Sequence, residues 1–100
     1  MADSIMQSEK KCYLTGQTHG LHRHHCIGGI NRQASERYGL WVWLTWDRHI
    51  ANSPYRTPHN DPEIDLMLKQ QAQREFEKTH TREEFMKVFG RNYLWDEDDE

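Results

Sequence analysis

The heptapeptide LWVWLTW, at residues 40–46, is the densest apolar stretch of the chain and constrains its fold more than any other segment. Its aromatic and β-branched residues favour an extended strand, in which Trp41 and Trp43 share one face while Val42 and Leu44 share the other. Apolar residues make up only 35% of the 100 residues. We therefore expect one small domain with a thin core built around this strand.

A second strand is predicted at residues 21–26, LHRHHC. Strand alternation places His22 and His24 on one face, and Arg23 and His25 on the opposite face. Paired with the tryptophan-rich strand, this segment predicts a β-hairpin with a long connection.

Three other segments of the first half have weaker patterns. Residues 12–16, CYLTG, predict a short strand that ends in a turn, and residues 27–39, with a Gly-Gly pair, predict a loop. A short helical segment is predicted over residues 47–53, ahead of a proline.

The C-terminal half changes to a helical period. Asp61 is a suitable N-cap for an amphipathic helix that reaches about Thr79. Thr81 and Glu84 have the spacing of a capping box at the start of a second, shorter helix, and Gly90 is expected to end it.

Composition also divides the chain. Residues 1–10 predict a flexible polar lead, residues 11–95 a single domain, and residues 96–100, DEDDE, a disordered acidic tail. Because five of the 16 acidic residues lie in that tail, removing it changes the net charge from −3 to +2, which is compatible with nucleic-acid binding. No apolar run is long enough for a membrane span, so we expect no membrane association.

Histidine is the residue type that suggests chemistry. His24 and His25 end the first predicted strand, while His49 and His59 follow the second strand. Imidazole is the commonest metal ligand in proteins and accepts a proton near neutral pH. Taken singly, each is compatible with an ordinary surface residue; together they favour a site split between two segments. His22 is predicted to be a structural residue, a bystander with no role in this site.

The layout resembles the HNH nucleases of the ββα-metal class. The resemblance rests on the His24-His25 pair, on GLWVWLTW followed by Asp47-Arg48-His49, and on CYLTG. The whole chain resembles small phage and prophage proteins with this core. The resemblance implies an α+β fold: a ββα-metal core of a β-hairpin plus a short helix, followed by two C-terminal helices.

The same resemblance implies a metal-dependent DNA endonuclease in the cytoplasm of a host cell. His24, His49 and His59 would hold one divalent ion (Mg²⁺, Mn²⁺, Ni²⁺ or Zn²⁺), with a phosphate contact as the alternative role of His49, and His25 would take a proton from the attacking water. Phosphate contacts are expected from nearby arginines: Arg23, Arg32, Arg37, Arg48 and Arg56.

Two departures from the family pattern keep an alternative open. Cys12 stands alone where the family has paired cysteines, so no structural zinc is expected. The family's central Asn is missing near Tyr38 and Gly39. The alternative is a catalytically inactive HNH-derived module that binds DNA or a host or phage protein, including the case of an inhibitor of a host defence system. The sequence does not fix an oligomeric state.

Overall fold

A computed structural model describes residues 3–50 and 52–94. The predicted acidic tail, residues 96–100, lies outside them. The described part is a small α+β fold with one two-stranded antiparallel sheet and three α-helices. In chain order its elements are β1 (Leu21–His25), α1 (Arg32–Tyr38), β2 (Trp41–Thr45), α2 (Pro62–Phe76) and α3 (Arg82–Phe89).

The predicted hairpin is confirmed. β1 and β2 pair antiparallel, with His22 opposite Leu44 and His24 opposite Val42. Directly paired residues project to the same face of a sheet. Val42 and Leu44 are fully buried in the core, so the same face carries His22 and His24. The second face carries Arg23 and His25 with the tryptophans of β2.

The predictions for residues 12–16 and 27–39 are wrong. Residues 13–15 form a turn, closed by a hydrogen bond from the Gly16 N–H to the Cys12 carbonyl at 2.8 Å. Residues 29–31 form a 3-10 turn that leads into α1. Gly39 is the left-handed C-cap of α1, with φ +72°.

The helix predicted over residues 47–53 is reduced to a 3-10 turn, Trp46–Arg48. Both C-terminal helices are confirmed. Asp61 caps α2 by accepting the Glu63 N–H, although α2 ends three residues earlier than predicted, at Phe76. The capping box of α3 is formed by Thr81 and Glu84.

The core is a single cluster in which the hairpin meets α2 and α3. Gln73 is buried and polar, and its side chain accepts the Tyr93 N–H at 2.8 Å, which fastens the chain after α3 onto α2. The main buried apolar residues are Leu40, Val42, Leu44, Leu68, Ala72, Phe76, Phe85 and Phe89. None of the described helices has the length and apolar character needed to cross a membrane.

The segment predicted as a flexible lead contacts β2 along its outer edge. Ser4 Oγ donates to the Trp41 carbonyl at 2.5 Å, and Gln7 Oε1 accepts the Trp43 N–H at 2.8 Å. Beyond this lead, the Tyr13 N–H donates to the Trp43 carbonyl at 2.8 Å. The edge of β2 that β1 leaves unpaired is therefore covered by residues that precede β1.

Candidate metal centre

His24 is the buried member of a histidine group that lies beside β1. Its side chain is only 5% exposed. Within the described residues its Nε2 atom is buried and has no hydrogen-bond partner. A buried polar atom without a partner is costly, so such an atom suggests a missing ligand.

His49 reaches the same place from the end of β2. The 3-10 turn Trp46–Arg48 reverses the chain, and the His49 N–H donates to the Trp46 carbonyl at 3.2 Å. The centroid of the His49 ring lies 5.4 Å from that of His24.

His59 is placed by a loop that is organised around the buried Thr57. The Thr57 hydroxyl donates to the Ile50 carbonyl at 3.1 Å and accepts the N–H groups of His59 and Asn60 at 3.2 Å each. The Thr57 N–H donates to the Asn60 side chain at 2.9 Å. These bonds tie the loop to the chain just after His49.

The three predicted ligands converge. One nitrogen from each of His24, His49 and His59 lies within 4.8 Å of the others. The His59 ring centroid is 5.3 Å from His24 and 4.9 Å from His49. His24 is buried, His49 half-buried and His59 exposed, so the group opens to solvent on the His59 side.

Burial and mutual repulsion keep the imidazoles of His24 and His49 neutral. Burial first, and then the neighbouring His49 and His59, lower the pKa of His24 to about 3. Burial and the adjacent His59 and His22 lower the pKa of His49 to about 4. Neutral imidazole is the form that binds a metal, so at neutral pH neither ring has to lose a proton first.

The residues fit a divalent ion on two grounds. The unpartnered Nε2 of His24 supplies a lone pair, and three imidazoles suit Zn²⁺, Ni²⁺ or Co²⁺ better than Mg²⁺, which prefers oxygen. Nitrogens bound to one tetrahedral ion lie about 3.4 Å apart for bonds of about 2.0–2.1 Å. The nitrogens of the three histidines lie within 4.8 Å of one another, so binding of one ion would need side-chain rotations that bring them closer.

His25 projects to the other face of β1, as alternation requires, but lines the same cavity. That cavity has a volume of about 290 Å³, and its wall includes the three histidines, His25 and Arg32. His25 Nε2 lies 2.9 Å from Glu36 Oε1 on α1. The Glu36 contact leaves Nδ1 as the ring nitrogen that can accept a proton.

Glu36 is also held by Arg23. The Arg23 Nη1 lies 3.0 and 2.8 Å from the two Glu36 oxygens, and its guanidinium stacks 3.9 Å from the centroid of the Trp41 ring. The hydrogen bond with His25 and the ion pair with Arg23 lower the pKa of Glu36, so the group is ionised at neutral pH.

Of the arginines predicted to contact phosphate, Arg23 and Arg32 both line the cavity, and Arg23 is also engaged with Glu36 and Trp41. Arg48 lies over the Tyr55 ring at 4.7 Å, and Arg56 pairs with Asp61 and Glu63. Arg37 is in the last turn of α1 and is not among the residues that line the cavity.

Both cysteines are buried free thiols. Burial raises the pKa of Cys26, whose Sγ lies 3.6 Å from the Met6 sulfur. Cys12 accepts a hydrogen bond from the Thr45 hydroxyl at 3.5 Å. These thiols belong to the core cluster rather than to the histidine group.

Sequence reasoning missed three residues of this region. Glu36 fell in the segment assigned to a loop, and Thr57 looked like an ordinary loop residue. His22, interpreted as a bystander, has its Nδ1 3.2 Å from the Nδ1 of His49. Only His22 had a usable signal, because alternation already placed it on the face of His24.

Comparison with protein-family models, with curated proteins and with solved structures finds no match to this chain.

Proposed function

We propose that this protein is a metal-dependent phosphodiesterase that cleaves DNA, with an HNH-like ββα-metal site. The observation that carries the proposal is the convergence of His24, His49 and His59 beside a cavity that also contains His25 and Arg32. Three protein ligands leave room for a further ligand on the exposed side, an arrangement typical of catalytic rather than structural metal sites.

The chain's own residues divide the work. His24, His49 and His59 hold the ion, which would supply Lewis-acid stabilisation of the phosphate and the leaving oxygen. His25, with its Nε2–H donating to Glu36, accepts the proton of the attacking water at Nδ1. Arg32, on the cavity wall, binds the phosphate by charge-assisted hydrogen bonds.

The hairpin supports the proposal of an HNH-like site, but the site differs from the ββα pattern in one part. The hairpin contributes His24 and His25, as the HNH resemblance implies. The other two ligands follow a 3-10 turn (His49) and lie in a loop (His59) instead of on a helix. Glu36 on α1 orients His25, the proposed general base. The sequence has no counterpart of the family's central Asn near Tyr38 and Gly39.

The test is nicking of supercoiled plasmid with Mg²⁺, Mn²⁺, Ni²⁺, Co²⁺ or Zn²⁺. We expect His25→Ala to lower kcat by roughly 100-fold or more, because positioned general bases contribute about that much. His24→Ala should abolish cleavage by removing the ion. His19→Ala, which changes an exposed histidine outside the group, is the matched control.

Two results would overturn the proposal: no cleavage with any ion, or equal cleavage by wild type and His25→Ala. Salt-dependent DNA binding without cleavage would favour the inactive binding module instead.

A further inference from the structure

His22 contacts the histidine group without belonging to its three converging members. Its Nδ1 lies 3.2 Å from the Nδ1 of His49, and the two ring centroids are 5.4 Å apart in an edge-on arrangement. His22 is exposed, on the same face of β1 as His24 and two residues before it.

A contact of this length between two imidazole nitrogens requires one proton and one lone pair. Each neutral ring has one nitrogen of each kind. Histidines that bind a metal through one nitrogen commonly donate the other N–H to a fixed acceptor, which sets the tautomer and the ring orientation. His49 therefore has one nitrogen for the ion and the other for His22.

We propose that His22 is a positioning residue of the metal centre: its Nδ1 accepts the Nδ1–H of His49, which directs the Nε2 of His49 to a divalent transition-metal ion. This role of His22 rests on the proposed function, because it requires that His24, His49 and His59 bind an ion. His22 itself is not one of those three ligands. His49 needs such a partner because it is only half-buried and follows a short turn, whereas His24 is fixed by β1 and by burial.

The first test measures affinity for Zn²⁺ and Ni²⁺ by calorimetry or chelator competition. His22→Ala is expected to weaken binding by roughly 10- to 100-fold, the usual effect of removing a partner of a ligating histidine. His22→Asn should restore most of that loss, because the Asn amide oxygen can accept the same hydrogen bond. His19→Ala is the control and should bind as wild type does.

The second test needs no metal. ¹⁵N NMR of the imidazole rings at a pH where they are neutral should show His49 in the Nδ1–H tautomer in wild type and in His22→Asn. In His22→Ala the two tautomers of His49 should be mixed.

Two outcomes would overturn the role of His22. One is an unchanged affinity in His22→Ala. The other is an equal loss in both variants with an altered absorption spectrum of bound Co²⁺, which would make His22 a direct ligand. Absence of DNA cleavage would defeat the nuclease proposal alone, since neither test measures cleavage. Failure of the wild type to bind any ion would defeat the metal centre and the role of His22 together.

Discussion

At the residue scale, His24 combines three properties that a purely structural side chain seldom has. It is buried, it is polar, and within the described chain its Nε2 has no hydrogen-bond partner. An apolar residue would fill this position at lower cost to the metal-free fold. The free-energy cost of burying Nε2 without a partner is explained if its lone pair binds a metal ion.

Replacing His24 by Leu should therefore separate stability from function. We expect His24→Leu to raise the free energy of unfolding of the metal-free protein by about 1–3 kcal/mol, the usual penalty of a buried unsatisfied group. The same change should abolish metal binding. Urea denaturation in the presence of a chelator measures the first effect, and calorimetry with Zn²⁺ measures the second.

His59→Leu is the matched control, because His59 is the exposed member of the same group. It should also lose the ion but gain no stability. A destabilised His24→Leu would show that Nε2 is satisfied in solution.

Glu36 gives a second prediction at this scale, through its contact with His25. Glu36→Gln keeps the shape of the side chain but removes the carboxylate that orients the imidazole. We expect a loss of roughly 10- to 100-fold in kcat with little change in metal affinity. Plasmid cleavage and Zn²⁺ binding are measured on the same preparation.

Arg23→Met serves as the control for Glu36→Gln. It breaks the ion pair with Glu36 but leaves the 2.9 Å contact between Glu36 and His25 available. A larger loss of kcat in Arg23→Met than in Glu36→Gln would contradict an orienting role for the carboxylate.

At the scale of elements, local sequence patterns predicted the two strands and the two C-terminal helices. The two strands followed from alternation, and α2 and α3 followed from their caps, Asp61 and the Thr81–Glu84 box. α1 was missed because the pair Gly28 and Gly29 led to the prediction of a loop for all of residues 27–39. Gly39 is the C-cap of α1, and a glycine at this position could have indicated a helix end. The 3-10 turn after β2 replaced the predicted helix because the loop bonds of Thr57 and Ser53 hold this region.

Gly39 yields a prediction about the turn from α1 to β2. A Cβ added there would lie 2.3 Å from the Asp3 carbonyl oxygen, in a backbone with φ +72°. Gly39→Ala should thus combine left-handed strain of about 1–2 kcal/mol with displacement of the N-terminal segment. Each hydrogen bond lost from that segment should add about 1 kcal/mol.

Gly90→Ala is the control for this turn. Gly90 has a similar φ of +77°, but an added Cβ meets nothing within 4 Å, so only the strain remains. Thermal denaturation of both variants gives the difference. Equal losses would mean that the contacts of residues 3–7 contribute nothing to stability.

At the scale of the whole molecule, the convergence of His24, His49 and His59 depends on the loop conformation and on the register of the hairpin. The sequence indicated which histidines to consider, because they flank the two strands. It did not indicate distances, since the conformation of residues 52–61 is set by the buried Thr57 and by hydrogen bonds that no local pattern encodes.

The histidine group also makes stability depend on pH. His24 and His49 have pKa values of about 3 and about 4 in the folded chain, against an ordinary histidine pKa of 6.5. Below pH 6.5 the unfolded chain binds more protons, so their contribution is complete above that pH and is lost as pH falls toward 4 and then 3. We expect the metal-free protein to lose stability between pH 6.5 and 5, before most carboxyl groups titrate.

Urea denaturation at several pH values measures this slope. His24→Leu should flatten it, because the group with the largest pKa shift is then absent. A slope unchanged by that substitution would place the pH dependence elsewhere in the molecule.

The cover on the outer edge of β2 has a consequence for processing of the chain. Ser4, Gln7 and Tyr13 satisfy backbone groups of β2 that would otherwise be open. Proteolytic cleavage just ahead of β1 would release this cover and leave a bare strand edge beside exposed tryptophan surface. Bare edges are templates for pairing between molecules, so the trimmed protein would be prone to aggregate. The contacts of Ser4, Gln7 and Tyr13 therefore keep this edge of β2 from pairing with another molecule.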